Sequence, residues 1–163
     1  MLILIAGLPG TGKTTIARAF ATLTGATHFN SDTIRRSLGL MGHYRPEDKE
    51  KVYHTLLLRA REALMRQEIV VVDSTFYKAM IREPFRVLAA DCGVPLYWVE
   101  VQASEQILRQ RLSQPRPDSE ADFQVYQHIR DQSEPLPEDR LIIHSETETP
   151  ESAAIKIQQY LNL

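Results

Sequence analysis

Cysteine is almost missing from this 163-residue chain: Cys92 stands alone, which excludes an internal disulfide and any metal site built from cysteines. With Gly93, Val94 and Pro95 after it, Cys92 reads as a packing residue at a helix end rather than a reactive thiol. An excess of charge of one sign is also lacking. Nineteen Lys and Arg against 21 Asp and Glu leave a net charge of −2 and a pI near 6.2. The global basic footprint of many polynucleotide binders is therefore absent, although a local basic groove would not register in such a total. No apolar run is long enough to span a membrane. Residues 1–6 are apolar but too short for a signal-peptide core and have no basic lead. The expectation is a cytoplasmic protein without a membrane partner. Five histidines (His28, His43, His54, His128 and His144) are scattered with no paired spacing, so no zinc site is expected. No repeat, low-complexity segment or long linker divides the chain, and one domain over residues 1–163 is expected.

What is present is an alternation of short apolar runs with longer amphipathic stretches, the pattern of an α/β protein with a mostly parallel sheet. Strands are expected at residues 2–6, 27–30, 69–72, 96–101 and 141–143. Helices are expected over 13–23, 31–38, 46–66, 79–90, 104–112, 123–132 and 149–160. Ser31 and Ser104 are candidate N-caps, and Pro46 and Pro150 suit the first turns of their helices. The continuous β-branched run before Asp73 marks a central strand buried on both faces, where Trp98 of the fourth strand is also expected in the core. Residues 113–122 are polar, carry two prolines and read as a loop or lid.

The strongest signal is Gly7-Leu8-Pro9-Gly10-Thr11-Gly12-Lys13-Thr14 between a buried strand and an amphipathic helix, a complete G-x-x-x-x-G-K-[ST] phosphate-binding loop. Its glycines let the backbone wrap phosphates closely, and successive amides with the helix N-terminus form an anion site. Gly7, Gly10, Thr11, Gly12, Lys13, Thr14 and Thr15 are the expected nucleotide contacts. Lys13 would reach the β- and γ-phosphates of ATP and Thr14 would ligate Mg²⁺.

Two carboxylates follow at strand ends. Asp73 closes an apolar strand in the Walker B manner, to hold magnesium or orient the attacking group, or else only to cap a turn. Asp32 follows the second strand and has Arg35 on the same helical face. That pair would take the proton of a substrate hydroxyl and clamp the substrate; an ordinary helix-start Asp with a surface Arg gives the same spacing. Residues 43–45 read as a polar loop, with an acceptor contact as the alternative. Lys78 and Arg82 either line an acceptor groove or are solvated.

The segments GLPGTGKTT at 7–15, SDTIRR at 31–36, VVVDST at 70–75 and RQRLSQPR at 109–116 together resemble the P-loop kinase family that includes the kinase domain of phage polynucleotide kinase. Zeta toxins and small antibiotic and sugar kinases are more distant cousins. The resemblance implies a three-layer P-loop sandwich with a five-stranded sheet and a helical lid at about 113–122. It implies Asp32 as general base, Arg35 on the acceptor, and Arg111 and Arg116 as lid arginines over ATP. Asp73 matches the family's strand-ending aspartate. The expected activity is transfer of the γ-phosphoryl group of ATP to a hydroxyl of a small molecule or a polynucleotide 5′ end. No obligate protein partner is evident. A P-loop ATPase or nucleotide switch without an acceptor is the competing reading, and a degenerate nucleotide-binding module a third. Asp32 with Arg35 has little use if water is the only acceptor.

Overall fold

Aliphatic strands with no polar interruption must be covered on both faces, and β1 (Leu2–Ala6) and β3 (Val70–Asp73) are buried at every residue. The computed structural model describes residues 1–114 and 121–163. Within them, β1 and β3 lie at the centre of one sheet with β2 (Thr27–Asn30), β4 (Leu96–Gln102) and β5 (Leu141–His144). The order is β2-β3-β1-β4-β5. Every pairing is parallel, so the expected mostly parallel sheet is parallel throughout. Parallel neighbours require crossovers, and these run through α1 (Lys13–Thr24), α2 (Ser31–Ser37), α3 (Pro46–Met65), α4 (Ala79–Asp91), α5 (Glu105–Leu112) and α6 (Phe123–Asp131), with α7 (Pro150–Tyr160) closing the chain.

The period-2 alternation of a strand splits β1 between two cores. Leu2, Leu4 and Ala6 pack with Val52, Leu56, Phe85 and Trp98 on the side covered by α3 and α4. Ile3 and Ile5 pack with Ile16, Phe20, Ala154 and Ile157 on the side covered by α1 and α7. The result is the three-layer α/β sandwich that the family resemblance implied. Trp98 is in the core, and Cys92 caps the end of α4 against it.

Two caps differ from expectation. Asn30, not Ser31, caps α2: its backbone is still extended, and its side chain accepts from the Thr33 amide at 2.8 Å. Ser104 stands before α5 without a side-chain cap, because its hydroxyl donates instead to Glu146 at 2.7 Å.

An all-parallel sheet ends all its strands at one edge, where such folds place ligands. The loop after β1, Asp32 after β2 and Asp73 at the end of β3 share that edge by topology alone. Phe76, three residues beyond Asp73, has a φ of 47° and is fully buried. Its ring packs edge-on against Phe85 and Trp98 at 5.3 and 5.9 Å, which holds a conformation that is otherwise costly for a bulky residue. That anchor fixes the path of Ser74, Thr75 and Tyr77 around the site.

Candidate active site

The chain leaves β1 at Ala6 and wraps through residues 7–12 into α1. Gly7 is a matter of space, since a Cβ there would lie 2.6 Å from the Val101 carbonyl oxygen and 2.7 Å from Thr11 Oγ1. Gly12, at the N-cap of α1, has a φ of 88°, a left-handed conformation that favours glycine. No side chain caps α1, so its first amides are available to an anion. The Thr11 hydroxyl donates to the Leu8 carbonyl at 2.9 Å, and Lys13 Nζ to the same oxygen at 3.4 Å. Gly7 and Thr11 thus brace the loop. Gly10, Gly12, Lys13, Thr14 and Thr15 line a cleft of about 830 Å³.

Behind the cleft, the register of β2 on β3 sets Asn30 opposite Asp73. The Asn30 Nδ2 group donates both to Thr14 Oγ1 at 3.2 Å and to Asp73 Oδ1. His28 Nε2 lies 3.1 Å from Asp73 Oδ2. Asp73 is fully buried, and these two partners satisfy both its oxygens. Thr14 and Asp73 are hard oxygen donors brought together through one amide, a set that fits magnesium. Since both Asp73 oxygens already accept protein hydrogen bonds, the carboxylate is better suited to an ion's water than to direct ligation.

Arg111, in the last turn of α5, lies on the other side of the loop. Its Nη1 donates to the Gly10 carbonyl at 3.2 Å and to Ser145 Oγ at 2.9 Å, and its Nη2 to the Ser145 carbonyl at 2.9 Å. It also lines the nucleotide-side cleft and ties the phosphate loop to the turn after β5. Glu146 of that turn faces the same cleft. The Ser104 hydroxyl and amide hold the Glu146 carboxyl below its ordinary range. Arg109, by contrast, points away, paired with Glu105 at 3.2 Å and stacked over Phe123. Arg116 and most of the expected lid lie outside the described residues.

A second cavity, about 470 Å³, opens between α2, the start of α3, the turn after β3, and α6. Its lining includes Arg35, Tyr44, Lys49, Tyr53, Tyr77 and Ile129. Lys13 and Asp32, with Pro9, line this cavity and the nucleotide-side cleft alike, so the two spaces meet there. Arg35 is buried; its Nη1 donates to the His43 carbonyl at 2.5 Å and its guanidinium lies 4.6 Å from the Tyr44 ring centre. It is therefore not a surface arginine. Arg82 is buried too, donating to the Glu134 carbonyl at 3.2 Å, and desolvation lowers its pKa. Lys78 sits 5.5 Å from the Tyr77 ring centre.

Sequence reasoning missed Asn30, His28, Lys49, Tyr53 and Tyr77. The alternation of β2 could have found Asn30 and His28, which fall on the same face two residues apart. The other three come from segments that only the fold brings together.

A five-stranded parallel sheet with a phosphate loop after its central strand and a buried aspartate on the adjoining strand defines a kinase-like P-loop fold. The chain belongs to the AAA domain family, whose sequence profile matches residues 2–136. An uncharacterised protein of Mycobacterium tuberculosis is 32% identical over 68% of this chain. The chain spans about a quarter of the length of the curated relatives it matches (25%). Among solved structures, a sugar kinase from Janibacter sp. superposes with a TM-score of 0.75 at 18% identity, covering 99% of this chain and 94% of its own. The APS kinase CysC of Mycobacterium tuberculosis, in complex with AMPPNP and APS, gives a TM-score of 0.71 at 17% identity, covering 99% and 97%. These likenesses bear on the fold. No helix among the described residues is long and apolar enough to cross a membrane.

Proposed function

We propose that the chain is an ATP-dependent kinase that moves the γ-phosphoryl group onto a hydroxyl of a small molecule. The observation that carries this reading is that Lys13 and Asp32 line both cavities. A cleft floored by the phosphate loop holds the nucleotide, and a separate space across Asp32 holds the acceptor. An ATPase that uses only water has no need of the second space. A volume of about 470 Å³ is that of a small-molecule site, which supports a metabolite over a polynucleotide end.

The acceptor oxygen attacks the γ-phosphorus as the bond from that phosphorus to the β–γ bridging oxygen breaks. ADP leaves with the electron pair, and the hydroxyl proton passes to the Asp32 carboxylate. Lys13 stabilises the charge that spreads over the transferring oxygens. Thr14 and Asp73 would hold magnesium, which when bound offsets phosphate charge. Arg111 keeps the loop in place against Ser145, and Arg35 shapes the acceptor wall through His43 and Tyr44. Arg116 would add charge over the nucleotide.

The test is γ-labelled ATP with magnesium against a panel of sugars, hydroxy acids, nucleosides and 5′-hydroxyl oligonucleotides. Label on a small alcohol supports the reading. Label on oligonucleotide ends alone would instead make the chain a polynucleotide kinase, and free phosphate alone would make it an ATPase.

A further inference from the structure

Several polar groups around the acceptor cavity already have partners within the protein. Tyr53 OH and Ser74 Oγ share a hydrogen bond of 2.8 Å, and burial raises the Tyr53 pKa, keeping the phenol neutral. Asn30 serves Thr14, Asp73 and Thr33. Arg35 is engaged by the His43 carbonyl and the Tyr44 ring. His128 is hydrogen-bonded to Gln132 at 2.8 Å. What the cavity chiefly offers a ligand is apolar and aromatic surface from Val52, Tyr53, Tyr77, Val125 and Ile129.

One cation differs from its neighbours. Lys49 lies in the first turns of α3, one turn before Tyr53 and on the same face. Among the described residues it has no carboxylate at ion-pair distance. Its Nζ lies 3.5 Å from the Tyr77 hydroxyl and 5.9 Å from that ring's centre. It is half-buried and lines the cavity. A half-buried ammonium that meets a phenol and no carboxylate among the described residues is a ready partner for an anion.

Resting on the kinase reading above, we propose that the acceptor is an alcohol built on a flat aromatic ring and carrying one anionic group, with Lys49 as the residue that selects the anion. The ring gains contact with the tyrosines, and the hydroxyl is presented to Asp32. A polyol would find partners at the polar residues near Asp32 but would set its remaining hydroxyls against Val52, Val125 and Ile129 and leave those unpaired. Lys49, rather than Arg35, thereby becomes the residue that sets specificity for charge.

The probes are the three (hydroxymethyl)benzoate isomers, benzyl alcohol as the neutral counterpart and gluconate as the acidic polyol. Binding is measured by calorimetry on the full chain with AMPPNP present, and transfer by γ-labelled ATP. At least one benzoate should bind more tightly than gluconate. Lys49→Gln should weaken it at least about tenfold while leaving benzyl alcohol within about twofold, and Lys49→Arg should restore most of the loss. Equal effects on the acid and the neutral alcohol would overturn the role of Lys49. Gluconate binding more tightly than every benzoate, or no benzoate binding at all, would overturn the ligand class. Calorimetry needs no transfer, so the two readings fail separately. Lys49-dependent binding without label on any acceptor would sink the kinase reading alone. Label on gluconate but on no benzoate would sink the ligand class alone.

Discussion

The two halves of the site are built from different material. The nucleotide side is built chiefly on backbone, one continuous loop with glycines lacking Cβ atoms and the open start of α1, to which Lys13, Thr14 and Arg111 add side chains. The acceptor side is side chains, drawn from α2, α3, the turn after β3 and α6. Backbone sites recognise what nucleotides have in common, and a short contiguous motif encodes them. Side-chain sites recognise what distinguishes one acceptor from another, and their residues are far apart in sequence. Lys13 and Asp32 line both halves, which is where the proposed transfer would take place.

This contrast can be broken or sharpened by substitution. Lys13→Ala should have the largest effect, taking transfer below detection while the fold survives, as judged by an unchanged circular dichroism spectrum. Arg111→Ala removes donors to Gly10 and Ser145 and should destabilise by about 1.5–3 kcal/mol, the range for hydrogen bonds made by charged groups. Its transfer rate should fall further than its ATP affinity in parallel kinetic and binding assays; equal losses would reduce Arg111 to a binding residue. Gly7→Ala forces a methyl against the Val101 carbonyl and should cost about 1–3 kcal/mol, read as a lower melting temperature together with weaker ATP binding. Tyr53→Phe should be the mildest, about 1 kcal/mol from the lost bond to Ser74. It should leave ATP affinity unchanged, because Tyr53 lies wholly on the acceptor side.

The same contrast explains what could be read in the sequence. The phosphate loop, the parallel sheet, Trp98 in the core and Asp73 at a strand end all follow from local patterns: a motif, a β-branched run, a period. The hold on Asp73 does not, because it depends on the register that sets Asn30 opposite it. A one-residue slip of β2 would turn Asn30 and His28 to the other face. Lys49 and Tyr53 share the helical period of α3 with core residues Val52 and Leu56, so nothing local separates pocket from core. Arg35 is legible as sharing the helical face of Asp32, and it lines the second cavity with that residue. That it is held by His43 and Tyr44 depends on the fold of residues 39–45, which carries no periodic signal. The cap of α2 moved by one residue for a similar reason, since Asn30 and Ser31 are both good caps and strand pairing decided between them.

The central claim is that nucleotide and acceptor sit on opposite sides of Asp32, and Asp32→Asn tests it most directly. Calorimetry with AMPPNP and single-turnover transfer should be measured on the same preparation. The account predicts nucleotide affinity within about twofold of wild type, with transfer reduced by about 10²–10⁴-fold, as expected for loss of a general base. Unchanged transfer, or a loss of nucleotide affinity as large as the loss of transfer, would contradict it.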